Sequence, residues 1–155
     1  MKPLETLLEE LRKACMDLRE NLKDRFEGML LFGSVARRET SKYSDIDILA
    51  AVKGKADIDL RAKIYKIITK HVKRDITLLT IDSNKLRDED IHLYSLTLNI
   101  AADAIIICDP QGLLNNFISK GRKIIKKAKL VRYRTPDGKY GWMRKDGKPI
   151  TLVEV

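Results

Sequence analysis

Within a chain of 155 residues, the run Leu31-Phe32-Gly33-Ser34-Val35-Ala36-Arg37-Arg38-Glu39-Thr40-Ser41-Lys42-Tyr43-Ser44-Asp45-Ile46-Asp47-Ile48-Leu49 is the most informative segment. It consists of a Gly-Ser pair, ten residues, and then Asp-x-Asp, with apolar residues on both sides. Residues 29–32 suit a short buried strand that stops at the Gly-Ser turn, and residues 45–52 read as a second strand. Side chains alternate along a strand, so Asp45 and Asp47 share one face while Ile46 and Ile48 share the other. Two carboxylates about 7 Å apart repel each other, and an apolar strand holds them together cheaply only if cations or hydrogen-bond donors sit between them.

Hard divalent ions prefer oxygen ligands, which makes Mg²⁺ the natural occupant of such a pair. One ion can hold nucleotide phosphates while a second lowers the pKa of an attacking hydroxyl, so two are expected. Gly33 lets backbone approach a ligand closely, and the Ser34 hydroxyl with nearby N–H groups can grip phosphate oxygens. Arg37, one turn on, can neutralise developing phosphate charge. A third carboxylate is expected opposite the pair, and Asp75, opening the next apolar segment, is the best candidate for a metal ligand and a base toward an acceptor hydroxyl. Asp82 is a weaker candidate, because it can simply cap the following helix.

Outward from this segment the elements alternate. Leucines and other apolar residues at three- and four-residue steps predict an amphipathic helix over residues 3–27, with Gly28 at its end. Asp57 is placed to cap a helix running to His71, and residues 75–81 form a third strand. Residues 83–102 read as helix in two pieces, and 104–108 as a strand. Asp109-Pro110 then caps a helix to about Lys127. Beyond it the period changes to two, predicting a hairpin of residues 130–135 and 139–144 about a Pro136-Asp137-Gly138 turn. A last short strand is expected at residues 150–153. The fold class is therefore α/β (α+β), a small mixed sheet flanked by helices. Residues 1–109 are the core, and residues 110–155 a basic helix-plus-hairpin extension packed on it as one structural unit.

Composition narrows the alternatives. With 44% apolar residues the chain can build a real core, and no apolar stretch approaches the roughly 20 residues that span a bilayer. The N-terminus reads as an acidic, leucine-patterned helix rather than a signal peptide, which places the protein in the cytoplasm without a membrane partner. Cys15 and Cys108 both fall in apolar patterns and read as reduced, buried thiols. With His71 and His92 as the only histidines, ordinary zinc spacing is absent, and neither is given a catalytic role.

The formal charge of +9 is localised. Residues 1–119 balance to zero, whereas residues 120–148 carry twelve basic residues against Asp137 and Asp146. Such a cluster can steer phosphate-bearing partners or simply form a solvated face. In the hairpin, Tyr133, Tyr140 and Trp142 alternate with Arg132, Arg134, Lys139 and Arg144. That is the pattern of a base-stacking platform, or equally of aromatics packed across strands, and the second reading is preferred.

The Gly33-Ser34 to Asp45-x-Asp47 segment resembles the signature of the minimal nucleotidyltransferase family, within the DNA polymerase beta-like superfamily. The likeness is clearest over residues 30–50 and extends with Asp75 to about residue 81. It implies a mixed sheet with the Asp-x-Asp strand beside the Gly-Ser strand. It also implies transfer of a nucleoside monophosphate from a Mg²⁺-bound nucleoside triphosphate to an acceptor hydroxyl, with release of pyrophosphate. Gly33, Ser34, Asp45, Asp47 and, more loosely, Asp75 match the family's functional positions. Arg38 departs from it, standing where many members have glycine, which bears on loop geometry more than on metal binding. Standalone members resemble antitoxins that modify or bind a separate HEPN-type protein, so a protein side chain is the first acceptor to consider. The alternative is a low-turnover module that uses the basic C-terminal segment to bind nucleic acid or a partner protein.

Overall fold

The computed structural model describes residues 4–39, 45–87 and 95–147. A four-stranded mixed sheet runs in the order β3-β2-β1-β4, with β1 Phe26–Phe32, β2 Ile46–Val52, β3 Ile76–Asp82 and β4 Ile105–Cys108. The Gly-Ser strand β1 is antiparallel to both neighbours, while β2 and β3 are parallel. Both faces of β1 are covered, so all seven of its residues are buried despite the lack of polar–apolar alternation.

The pleat divides the interior into two cores. Met29, Leu31, Ile46, Ile48, Ala50 and Val52 pack under helices α1 (Leu4–Leu22) and α3 (Ile58–His71). Leu30, Phe32, Leu49 and Ala51 meet Leu86, Ile100, Leu114, Phe117 and Ile118. The latter come from α4 (Ser83–Arg87), α5 (Ser95–Asp103) and α6 (Leu113–Lys127). Asp47 shares the parity of Leu49 and Ala51, so it belongs to the α5–α6 face. Strands β5 (Leu130–Arg134) and β6 (Tyr140–Arg144) form a separate antiparallel hairpin. It packs on α5 and α6 through a third cluster of Leu98, Ile124 and Leu130, with Trp142 against it.

Several local expectations hold. The Asp57 carboxylate accepts the Leu60 N–H at 2.8 Å and caps α3. Asp109 accepts from the Leu114 and Asn115 N–H groups, capping α6 from across a short loop that puts Gly112 at the N-cap. The expected strand at residues 150–153 and His92 lie outside the described residues. Among the described residues, no helix is long and apolar enough to cross a membrane.

The first helix is shorter than its periodicity predicts. It ends at Leu22, a 3-10 turn follows over Lys23–Arg25, and β1 already begins at Phe26. Phe26 continues the helical spacing but is buried as a strand residue. Gly28 lies inside β1 at a bulge rather than ending the helix. A side chain there would meet the Cys108 carbonyl oxygen at 2.8 Å, and its φ of +150° suits glycine.

The cysteines are also corrected. Cys15 and Cys108 are joined in a disulfide with Cα atoms 6.5 Å apart, not held as free thiols. The inward stripe of α1 crosses the sheet at the end of β4, bringing together residues 93 apart in sequence and within bridging distance. A closed loop of that length removes substantial chain entropy from the unfolded state. Reduction is therefore expected to destabilise the protein by about 2–4 kcal/mol in denaturant unfolding followed with and without a reductant. Alkylation should label no thiol before reduction and two after it.

Candidate functional site

The site is built where β1 ends beside the start of β2. The register Phe32↔Asp47 sets Gly33 beside the Asp47 carboxylate. A Cβ on Gly33 would overlap that carboxylate, and the backbone there has φ +79°. Glycine is thus required for conformation and for space at once. Gly33 opens the one-turn helix α2, Gly33–Ala36, in which Ser34 is half-buried. The turn is closed by the Arg37 N–H donating to the Gly33 carbonyl at 3.0 Å and the Glu39 N–H donating to the Ser34 carbonyl at 2.9 Å.

Burial raises the Asp47 pKa, the neighbouring Asp45 charge raises it further, and Arg37 opposes both. Such a pair would gain from a divalent cation, and oxygen-only donors fit Mg²⁺ better than a softer metal. Asp45 is exposed and accepts a hydrogen bond from the Thr77 hydroxyl at 3.3 Å. Sequence reading missed Thr77. Its signal was the parallel pairing Asp47↔Thr77, which puts a hydroxyl of β3 on the acidic face.

Asp75 stands just before β3, exposed, and its carbonyl accepts the Ile46 N–H at 2.9 Å. This sets it next to Asp45. Among the described residues, however, no three Asp, Glu, His or Cys side chains are grouped so as to hold a metal ion. The structure therefore brings two of the three expected carboxylates together and leaves Asp75 at the margin. Asp82, at the far end of β3, accepts from the Gly54 and Asn84 N–H groups and acts as a cap.

Arg37 is held firmly. Its Nη1 donates to Asp103 at 2.7 Å and its Nε to Glu39 at 3.1 Å, and its guanidinium lies 4.4 Å from the centre of the Tyr140 ring. Burial works against its charge, but the bonds to Asp103 and Glu39 outweigh that cost and raise its pKa. Arg38 adopts φ 62°, the left-handed region that glycine takes without strain, and here an exposed arginine occupies it. His71, by contrast, pairs with Asp17 at 3.0 Å, away from this site.

Two of the three hairpin aromatics, Tyr140 and Trp142, are packed rather than free. The Trp142 Nε1–H donates to the Asn99 side chain at 2.9 Å, and the Tyr140 hydroxyl bonds the Glu39 carboxylate. Tyr133 lies over Gly141 and is the more exposed ring.

The family model for polymerase beta nucleotidyltransferases matches residues 17–109, a span that contains every element of the acidic site. The chain belongs to the polymerase beta nucleotidyltransferase family. Two Methanocaldococcus jannaschii proteins, provisionally named protein adenylyltransferases, are similar to this nucleotidyltransferase. One is 33% identical over 76 residues, covering 48% of this chain and 77% of its own length. The other is 27% identical over 135 residues, 84% of this chain and 88% of its own.

Solved structures at 17% identity share the fold of the nucleotidyltransferase. A toxin–antitoxin structure with AMP-PNP has a TM-score of 0.52, over 75% of this chain and 87% of the other. A spectinomycin adenyltransferase from Enterococcus faecialis, solved with ATP and spectinomycin, has 0.53, over 78% of this chain and 65% of the other.

Two consequences for stability follow. The folded state holds the Asp47 proton more tightly than the unfolded chain, so stability falls as pH rises through the raised value. Asp47→Asn should raise the Tm of metal-free protein at pH 7 by about 1–3 °C, a modest figure because the carboxylate is only half-buried. The gain should shrink as pH is lowered toward about 4 in calorimetric scans. Arg38→Gly should stabilise by about 0.5 kcal/mol in denaturant unfolding, since relief of the left-handed strain exceeds the added chain entropy.

Proposed function

We propose that this nucleotidyltransferase binds a nucleoside triphosphate with Mg²⁺ and transfers the nucleoside monophosphate to an acceptor hydroxyl on a separate protein. The observation that carries this reading is the Asp45–Asp47 pair, with Asp47 seated against Gly33. It is a charge arrangement that is unfavourable alone and favourable around a cation that also holds phosphate. Asp45 and Asp47 would hold the metal, which when bound supplies charge neutralisation along the phosphates and a lowered pKa at the acceptor hydroxyl. Asp75, open to solvent beside Asp45, is assigned the approach side, as the base that takes the hydroxyl proton. Ser34 and the turn around it face the terminal phosphates, and Arg37 offsets charge there. The acceptor oxygen bonds to the α-phosphorus, the bond from that phosphorus to the bridging oxygen breaks, and pyrophosphate leaves.

A protein acceptor is supported by the names of the two Methanocaldococcus jannaschii relatives, and adenosine triphosphate as donor by the same names. The toxin–antitoxin structure with AMP-PNP has the same fold; a HEPN-type protein is the partner that the family resemblance implies. A cytoplasmic location follows from the need for nucleoside triphosphates. A partly buried disulfide is compatible with that compartment in hyperthermophiles.

Calorimetric titration of ATP, GTP, CTP and UTP, with and without Mg²⁺, tests the donor site. Mg²⁺-dependent binding is expected for the wild type, weakened about 100-fold or more in Asp45→Asn/Asp47→Asn. Absence of binding by the wild type would instead favour a binding module based on the basic C-terminal segment. That reading requires steeply salt-dependent nucleic-acid binding.

A further inference from the structure

The C-terminal hairpin reaches the loop that follows the Gly-Ser turn, although more than 100 residues separate them. Asp103, at the end of α5 and with a side chain only 6% exposed, accepts from Arg37 at 2.7 Å through one oxygen and from Arg132 of β5 at 2.8 Å through the other. Arg132 also donates to the Asn99 carbonyl at 3.4 Å and lies 5.0 Å from the Trp142 ring. Tyr140 of β6 sits among three guanidiniums, those of Arg37, Arg132 and Arg134, at 4.4, 4.9 and 5.5 Å from its centre. Its hydroxyl donates to Glu39 at about the same 2.9–3.0 Å from both oxygens, and Glu39 in turn accepts from Arg37.

Arg37 is therefore fixed on three sides, by a carboxylate at Nη1, a carboxylate at Nε and an aromatic face. Its Nη2 has no partner among the described residues. A long flexible side chain normally loses much rotamer freedom when it grips a ligand, and a guanidinium fixed beforehand has already lost it. Charge-assisted bonds and cation–π contacts in a part-buried setting are strong enough to impose that geometry.

We propose that Asp103 and Tyr140 are positioning residues that preorganise Arg37 for the triphosphate, so that the C-terminal hairpin is a working part of the donor site. This rests on the nucleotide-binding reading given above. It adds that a segment outside the span shared with the family sets affinity for the donor.

The test combines nucleotide binding with a direct view of Arg37. Tyr140→Ala and Asp103→Asn should each weaken Mg²⁺-ATP binding about tenfold in calorimetry, the order expected for loss of one charge-assisted contact. Tyr140→Phe, which keeps the ring over Arg37, should recover most of the loss. Met143→Ala, on the exposed face of the same strand, should bind as the wild type does. In a double-mutant cycle, Arg37→Ala/Tyr140→Ala should be no weaker than Arg37→Ala alone. By NMR, the Arg37 Nε–H resonance, assigned by its loss in Arg37→Lys, should be sharp in the wild type and exchange-broadened in Tyr140→Ala.

Tighter or unchanged binding in Tyr140→Ala, or additivity with Arg37→Ala, overturns the proposal. If the wild type binds no nucleotide, the donor-site reading fails, and the resonance still decides whether the hairpin fixes Arg37. An Nε–H signal indifferent to Tyr140→Ala and Asp103→Asn overturns the positioning role by itself.

Discussion

The Asp47 carboxylate rests against the Cα of Gly33, and the rest of the site depends on that contact. It is possible only because β1 and β2 pair with Phe32 opposite Asp47 and because residue 33 has no Cβ. A slip of one residue in that pairing would turn Asp45 and Asp47 into the apolar core under α1 and α3 and bring Ile46 and Ile48 out of it. The two buried faces of β2 thus lock the register, and the locked register places the charge. Folding energy from Ile46, Ile48, Leu49 and Ala51 holds in place a pair of carboxylates that would separate if left alone.

That arrangement was legible because its requirements are local. Gly33, Asp45 and Asp47 lie within 15 residues, and strand alternation alone puts the carboxylates on one face. The order of sheet elements was legible for the same reason, since each strand and helix announces itself by period and cap. Where two local signals conflicted, the reading failed. Phe26 extends the apolar stripe of the first helix by one more step, yet its environment between sheet and helix suits a strand better. Gly28 looks like a helix stop but answers to the backbone of β4.

What stayed hidden is what distant segments do to each other. Neither Cys15 nor Cys108 has a neighbour in sequence that betrays the other. Nothing near Asp103 reveals that two arginines, one earlier in the chain and one later, converge on it. The alternation of Tyr140 and Trp142 with arginines was visible, but its meaning turned on which face of the hairpin met α5. Thr77 is a smaller instance, inconspicuous until parallel pairing puts it beside the acidic pair.

The disulfide has a topological meaning as well as an energetic one. Residues 15 and 108 lie almost at the two ends of the span shared with the family, residues 17–109, and their Cα atoms are 6.5 Å apart. The span that matches the family model is therefore closed nearly into a ring, its two ends adjacent where α1 packs on β4. Fraying at either end of that ring is limited by the other, while its sheet still leans on residues beyond it: Leu7, Leu11 and Ala14 in the core, and the hairpin ring of Tyr140 over Arg37.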